Sequence, residues 1–287
     1  MSDVELILSA RDELGEGPLW NVAEQALYWV DIDGKRYHRL DPLKHVHRIV
    51  DVGEKVGVLA FRQKGGLVMA TDHGFVFFDP EAGRLEHIAD PELHKPQTQF
   101  NDGKVDRAGR FWAGTLGDSF QNSLYRLDPD GSVHSMESGV DVSNGIGWSP
   151  DNQVMYFTDS TPAVIYAYDF DLGSGSIANR RVFVDRTGKK GVPDGLTVDA
   201  EGFIWSAVWD GWCVERYDPQ GKLERTLQMP VQFPTSVAFG GRDLDELYVT
   251  SALVEIPVPE RSSYPLAGGL FRIKGLIKGL SEPLFAG

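Results

Sequence analysis

Four short strings in this chain place an oxygen-bearing side chain directly before a glycine. They are Gly15-Glu16-Gly17, Asn101-Asp102-Gly103, Asn144-Gly145 and Asp194-Gly195. Each precedes an aromatic or apolar strand core by 10 or 11 residues. Carboxylates and amide oxygens are hard donors, suited to calcium, magnesium or manganese, and the strings hold no thiolate or imidazole that would favour zinc. Brought to one point, they would bind a divalent cation and let it polarise a substrate oxygen. Any one string alone reads as an ordinary Asx-Gly or Glu-Gly turn. Four in one phase of a repeat argue for a site.

The elements that must position these residues recur along the chain. Leu27-Tyr-Trp-Val-Asp31, Leu67-Val-Met-Ala-Thr71, Phe111-Trp-Ala-Gly-Thr115, Met155-Tyr-Phe-Thr-Asp159, Ile204-Trp-Ser-Ala-Val208 and Leu247-Tyr-Val-Thr-Ser251 share one pattern. Their starts differ by 40, 44, 44, 49 and 43 residues, a spacing that belongs to propeller blades. A second β-like run follows, often closing on Asp-Pro, as in Tyr37–Pro42, Val76–Pro80, Leu124–Pro129 and Val214–Pro219. Asp128-Pro-Asp-Gly131 and Asp218-Pro-Gln-Gly221 carry hairpin chemistry. No segment sustains a 3.6-residue period. The expected fold is all-β, a six-bladed β-propeller with a central metal site and one domain over residues 1–287; an open solenoid or a pair of sandwiches is the competing architecture. Closure pairs the strand around Val4 to Ser9 with Gly269–Ile273. The innermost strands then start at Gly17, Gly57, Gly103, Gly145, Gly195 and Ser236. The residues before them form a rim of Glu16, Val56, Asp102 with Asn101 beside it, Asn144, Asp194 and Thr235.

Bulk properties narrow the function. A hydrophobic fraction of 41% supports a packed core in a chain of 287 residues. The net charge of −14 argues against nucleic acid and anionic membrane as partners, since both need a positive field. Cys213, the lone cysteine, lies in an apolar run and reads as a buried inert thiol. Residues 1–14 lack an apolar signal core, and no run reaches a membrane span, so a cytoplasmic protein is expected. His73, His94 and His134 read as surface residues, and Trp209, Trp212 and Tyr217 as channel-lining or inter-blade core. There is no Gly-x-Ser-x-Gly elbow.

Gly15-Glu-Gly-Pro18, Phe100-Asn-Asp-Gly-Lys-Val-Asp106, Ser143-Asn-Gly145 and Pro193-Asp-Gly195 resemble the gluconolactonase family, which includes regucalcin and the luciferin-regenerating enzymes. Asn179-Arg-Arg181, Asp199-Ala-Glu-Gly202, Phe239-Gly-Gly241 and Ala267–Phe271 extend the likeness over essentially the whole chain. The resemblance implies one divalent metal ion (calcium, manganese, magnesium, zinc or iron(II)) held by Glu16, Asn144 and Asp194. It implies Asp194 as catalytic base and Asn101 beside the metal, touching substrate. Gln99 stands where many members carry arginine, and would orient substrate hydroxyls without a charge. Asp102 is either a direct ligand or contact, or a carboxylate supporting the others. The implied activity is hydrolysis of sugar lactones to aldonic acids. Two readings stand beside it: an organophosphate or aryl-ester hydrolase on the same site, and a calcium-binding propeller without turnover.

Overall fold

The computed structural model describes residues 4–275 and 277–287. Runs rich in Val, Ile, Phe, Tyr and Trp form strands because their side chains pack on a pleated, half-buried surface. Among the described residues these strands make six four-stranded antiparallel sheets, the six blades. Blades 1 to 5 are built from consecutive strands, and blade 6 takes its outermost strand, Val4–Leu8, from the N-terminus. That strand pairs with Leu270–Ile273, as the sequence predicts, so the ring closes by joining the two ends of the chain. Apolar clusters fill the spaces between adjacent blades. No helix among the described residues is long and apolar enough to cross a membrane.

The inner strands are Gly15–Asn21, Val56–Phe61, Gln99–Val105, Ser143–Trp148, Val192–Val198 and Pro234–Gly240. They begin one to four residues earlier than the sequence reading places them. The difference has a physical reason. Every inner strand carries a β-bulge at the same height, between Glu16 and Leu19, Val56 and Val58, Phe100 and Gly103, Ser143 and Ile146, Pro193 and Leu196, and Pro234 and Val237. A bulge adds one residue to one strand and re-aims its side chains. Asn101, Asp102, Asn144 and Asp194 lie within these bulges, and Glu16 is the last paired residue before one.

The glycines after the oxygen-bearing residues are therefore not turn residues. A Cβ on Gly145 would strike the backbone N of Leu196 and come 2.7 Å from Asp194 O. One on Gly195 would overlap Ser236 Oγ and lie 2.7 Å from its Cα. These glycines let neighbouring inner strands converge on the axis. Gly195→Val is expected to cost about 1–3 kcal/mol by overpacking, lowering Tm by several degrees. Gly173→Ala, where a Cβ meets only Asp171 Oδ1 at 3.4 Å, should leave it nearly unchanged. Thermal melts of both variants check this.

Buried indoles fix the second strands. Trp29, Trp112 and Trp205 donate to Asp12, Asp106 and Asp199 at 2.8, 2.9 and 2.9 Å. The C-terminal segment crosses the lower end of the axis. It is pinned by Gly279 N to Leu244 O (2.8 Å), Phe285 N to Phe61 O (2.8 Å) and Ala286 N to Gly109 O (3.0 Å). Lys104 Nζ meets Glu282 Oε1 there at 3.1 Å. This strap leaves the opposite rim as the approach to the axis.

Candidate active site

The rim brings Glu16, Asn101, Asp102, Asn144 and Asp194 into one buried ring, each less than 10% exposed. Val56 and Thr235 complete it, both fully buried. Hydrogen bonds between blades fix the side chains. Asn101 Nδ2 donates to Ser143 O at 2.8 Å. Asn144 Nδ2 donates to Ser160 Oγ at 3.1 Å, and Ser160 Oγ donates to Pro193 O at 2.7 Å. Because Ser160 spends its proton on Pro193, it can only accept from Asn144, which settles the orientation of that amide. Asn144 Oδ1 is left buried with no partner, and so is Asp194 Oδ1. Buried polar atoms are rarely left so.

The electrostatics carry the same message. The Glu16 carboxyl is pushed well above the usual carboxylate range, first by burial, then by the charges of Asp194 and Asp102. Burial and then the charge of Asp102 raise Asp194 as well, with Gly195 N–H and the Asn144 amide pulling it back. Asp102 is pushed up to about 6 by burial, with Lys104 pulling it back. Three desolvated carboxyl groups cannot all ionise together without a compensating cation. Two orphaned hard oxygens beside them form a donor set that fits a divalent ion. On both grounds Glu16, Asn144 and Asp194 suit the metal expected from the sequence.

The other expected residues fall nearby in different settings. Gln99 opens the inner strand of blade 3, opposite Leu116, and lines a cavity of about 220 Å³ with Thr71, His73, Glu92, Thr98 and Thr115. Asp102 accepts from Gly103 N at 2.6 Å and lines a small void of about 20 Å³ beneath the rim with Lys104 and Glu282. His73, His94 and His134 are exposed. Cys213 is buried, and burial followed by the charge of Glu215 pushes its thiol up to about 11, so it is not a nucleophile. Tyr217 is core, whereas Trp209 and Trp212 are only half-buried.

Sequence reasoning missed Ser160, Lys104 and Glu282. Ser160 follows the second strand of blade 4, and only the three-dimensional neighbourhood joins it to Asn144. It also missed the buried Asp12–Asp31–His38 group, whose donor atoms lie within 4.8 Å of one another. Arg36 Nη2 already neutralises Asp31 there at 2.7 Å, and Leu14 N donates to Asp31 Oδ1 at 3.1 Å. The group thus braces the segment that leads into Glu16.

Comparison with known proteins agrees with this geometry. Residues 14–253 match the family model described as SMP-30/Gluconolactonase/LRE-like region. The chain is 37% identical over 291 residues to a regucalcin of Danio rerio, covering 99% of this chain and 98% of the relative. It is 38% identical over 278 residues to a 6-deoxy-6-sulfogluconolactonase of Pseudomonas putida, covering 96% and 95%. A solved structure described as a calcium-binding protein, regucalcin, from Agrobacterium tumefaciens superposes with a TM-score of 0.95 at 29% identity, covering 100% of this chain and 98% of that one.

Proposed function

Since the chain belongs to the SMP-30/gluconolactonase/LRE-like family, we propose that it is a metal-dependent lactonase that opens sugar lactones to aldonic acids. The observation that carries this reading is the pair of buried, unpartnered oxygens, Asn144 Oδ1 and Asp194 Oδ1, inside a ring of raised carboxyl groups. A bound divalent cation would satisfy both oxygens and offset the carboxylate charges. The relative named as a sulfogluconolactonase supports the lactone, and the neighbour described as calcium-binding supports calcium as the ion.

Glu16, Asn144 and Asp194 would hold the ion, which when bound supplies Lewis-acid polarisation of the carbonyl and stabilises the developing oxyanion. The remaining work falls to the chain. Asp194 is the general base: it accepts a proton from water as the water oxygen bonds to the lactone carbonyl carbon. Collapse of the tetrahedral intermediate breaks the bond from that carbon to the ring oxygen. The same proton returns from Asp194 to the departing ring oxygen, leaving a carboxylic acid and a free hydroxyl. Asn101, tethered through Nδ2 to Ser143 O, presents its carbonyl oxygen to a substrate hydroxyl. Gln99 offers an uncharged amide at the cavity beside it. Asp102 faces the void beneath the rim, which favours electrostatic support over contact with substrate.

The test is acid release from a panel of pentono- and hexono-lactones by ion-loaded protein, with spontaneous ring opening subtracted. Turnover well above that background is expected. A flat panel with every divalent ion, together with turnover of aryl or phosphate esters, would move the assignment to the ester hydrolases.

A further inference from the structure

Two cavities open at the rim on opposite sides of the ring. One lies between blades 2 and 3 and contains Gln99. The other is an open groove between blades 5 and 6, measures about 460 Å³, and is lined by Lys189, Trp209, Asp210, Gln232, Phe233 and Glu255 among others. That volume falls in the ~300–1,000 Å³ range of small-molecule sites. Nothing in the proposed mechanism uses it.

This second cavity is tied to the reaction centre by strand register. Trp209 pairs with Val192, which is two residues before Asp194 on the inner strand of blade 5. At the rise of a β-strand, two residues span about 7 Å. Phe233 stands two residues before Thr235 on the neighbouring blade, and its ring lies 4.8 Å from that of Trp209 at 45°. Phe233 is buried and Trp209 only half-buried, so part of the indole is left open to the cavity. Polar groups surround it. Gln232 Nε2 donates to Asp210 Oδ1 at 2.6 Å, which orients both side chains and leaves an amide oxygen and a carboxylate oxygen as acceptors. Lys189 is an exposed donor.

An aromatic face ringed by acceptors and a cation matches an amphipathic ligand, apolar on one face and hydroxylated at the edge. A sugar ring has that character. Sugar hydroxyls can bond Asp210, Gln232 and Lys189, which an aryl or alkyl group cannot do. We infer that this cavity is a second sugar subsite, which receives the glycosyl ring of an aldonolactone that carries one while the lactone sits at the axis. The inference rests on the lactonase reading and extends its substrate class to glycosyl-aldonolactones.

The test compares kcat/KM for gluconolactone and a glucosyl-gluconolactone in ion-loaded wild type, Trp209→Ala and Gln232→Ala, alongside calorimetric binding of gluconic acid and the glucosyl-gluconic acid. Wild type should favour the glucosyl-lactone about tenfold, the scale of one added ring contact in a pocket, chiefly through KM. Either variant should lose that preference, and the glucosyl acid should bind wild type more tightly than gluconic acid does. Equal kcat/KM values in wild type, or variants that slow both substrates by the same factor, would overturn the subsite. If no lactone is hydrolysed, the lactonase reading fails by itself. Calorimetry then decides the subsite: tighter binding of the glucosyl acid that depends on Trp209 supports it, and equal binding removes it.

Discussion

Asp194→Asn is expected to lower kcat about a thousandfold, within the range for losing a general base, and at the same time to raise the melting temperature of the metal-free protein. The two effects have one origin. Asp194 sits buried against Asp102 and Glu16, and burial and like charge both resist its ionisation. An amide keeps the shape and an oxygen donor, but it cannot take the proton of water. It also removes a carboxyl group whose ionised form the fold disfavours. Near neutral pH the unfolded chain ionises this group freely, so the wild-type fold is weakened by holding it. The relief would appear as a rise in the melting temperature. Kinetics on a lactone and a melt of the stripped variant measure both. A variant that keeps wild-type turnover removes Asp194 from the role of base. A variant that melts lower says the carboxylate is stabilising, contrary to its surroundings.

Removing the ion should abolish turnover, and restoring it should stabilise the fold more at pH 8 than at pH 5. The sign follows from the direction of the shifts. Glu16, Asp102 and Asp194 all have folded values raised above those of the unfolded chain. The native state therefore holds protons that the unfolded state has released. The contribution of these three groups to the metal-free fold is at full strength below pH ~4, where both states are protonated, and it is lost as pH rises through the folded values. For Asp102 that value is about 6. A cation competes with these protons and binds best once they have left, so its stabilising effect grows with pH. An ion at a thousand times its Kd contributes ~4 kcal/mol, which corresponds to about 10 °C in a chain of this size. Melts with and without ion across pH 5–8 test it, and calorimetry in buffers of different ionisation enthalpy counts the protons released. A shift that does not change with pH would mean that the ion does not displace these protons.

Much of the fold could be read from residue types, because a propeller repeats. The strand cores Leu27–Asp31 and Met155–Asp159 differ in sequence but share apolar alternation and spacing. Closure by the N-terminal strand followed from the same count. The rim of Glu16, Val56, Asn101, Asp102, Asn144, Asp194 and Thr235 is legible as well, since equivalent positions of a closed repeat must face one axis. What stayed hidden depended on contacts between blades. Asx-Gly has the same letters in a hairpin turn and in a bulge. Only the approach of Leu196 to Gly145, and of Ser236 to Gly195, shows which one it is. Ser160 gives no sequence signal because its role is set by Pro193 of the next blade. The strap that brings Glu282 to Lys104 joins residues 178 positions apart through a segment with no repeat signature. The half-exposure of Trp209 was not legible either, since a tryptophan in an apolar run is usually core.

The most direct test is a titration of metal-stripped protein with calcium and with manganese, counting bound ions while following hydrolysis of a five-membered sugar lactone. Turnover should rise from the spontaneous rate in step with occupancy and saturate at one ion per chain, and Glu16→Gln should shift the midpoint to much higher ion concentration. Full turnover in the stripped protein, or full occupancy without turnover, would contradict a metal-dependent lactonase centred on Glu16, Asn144 and Asp194.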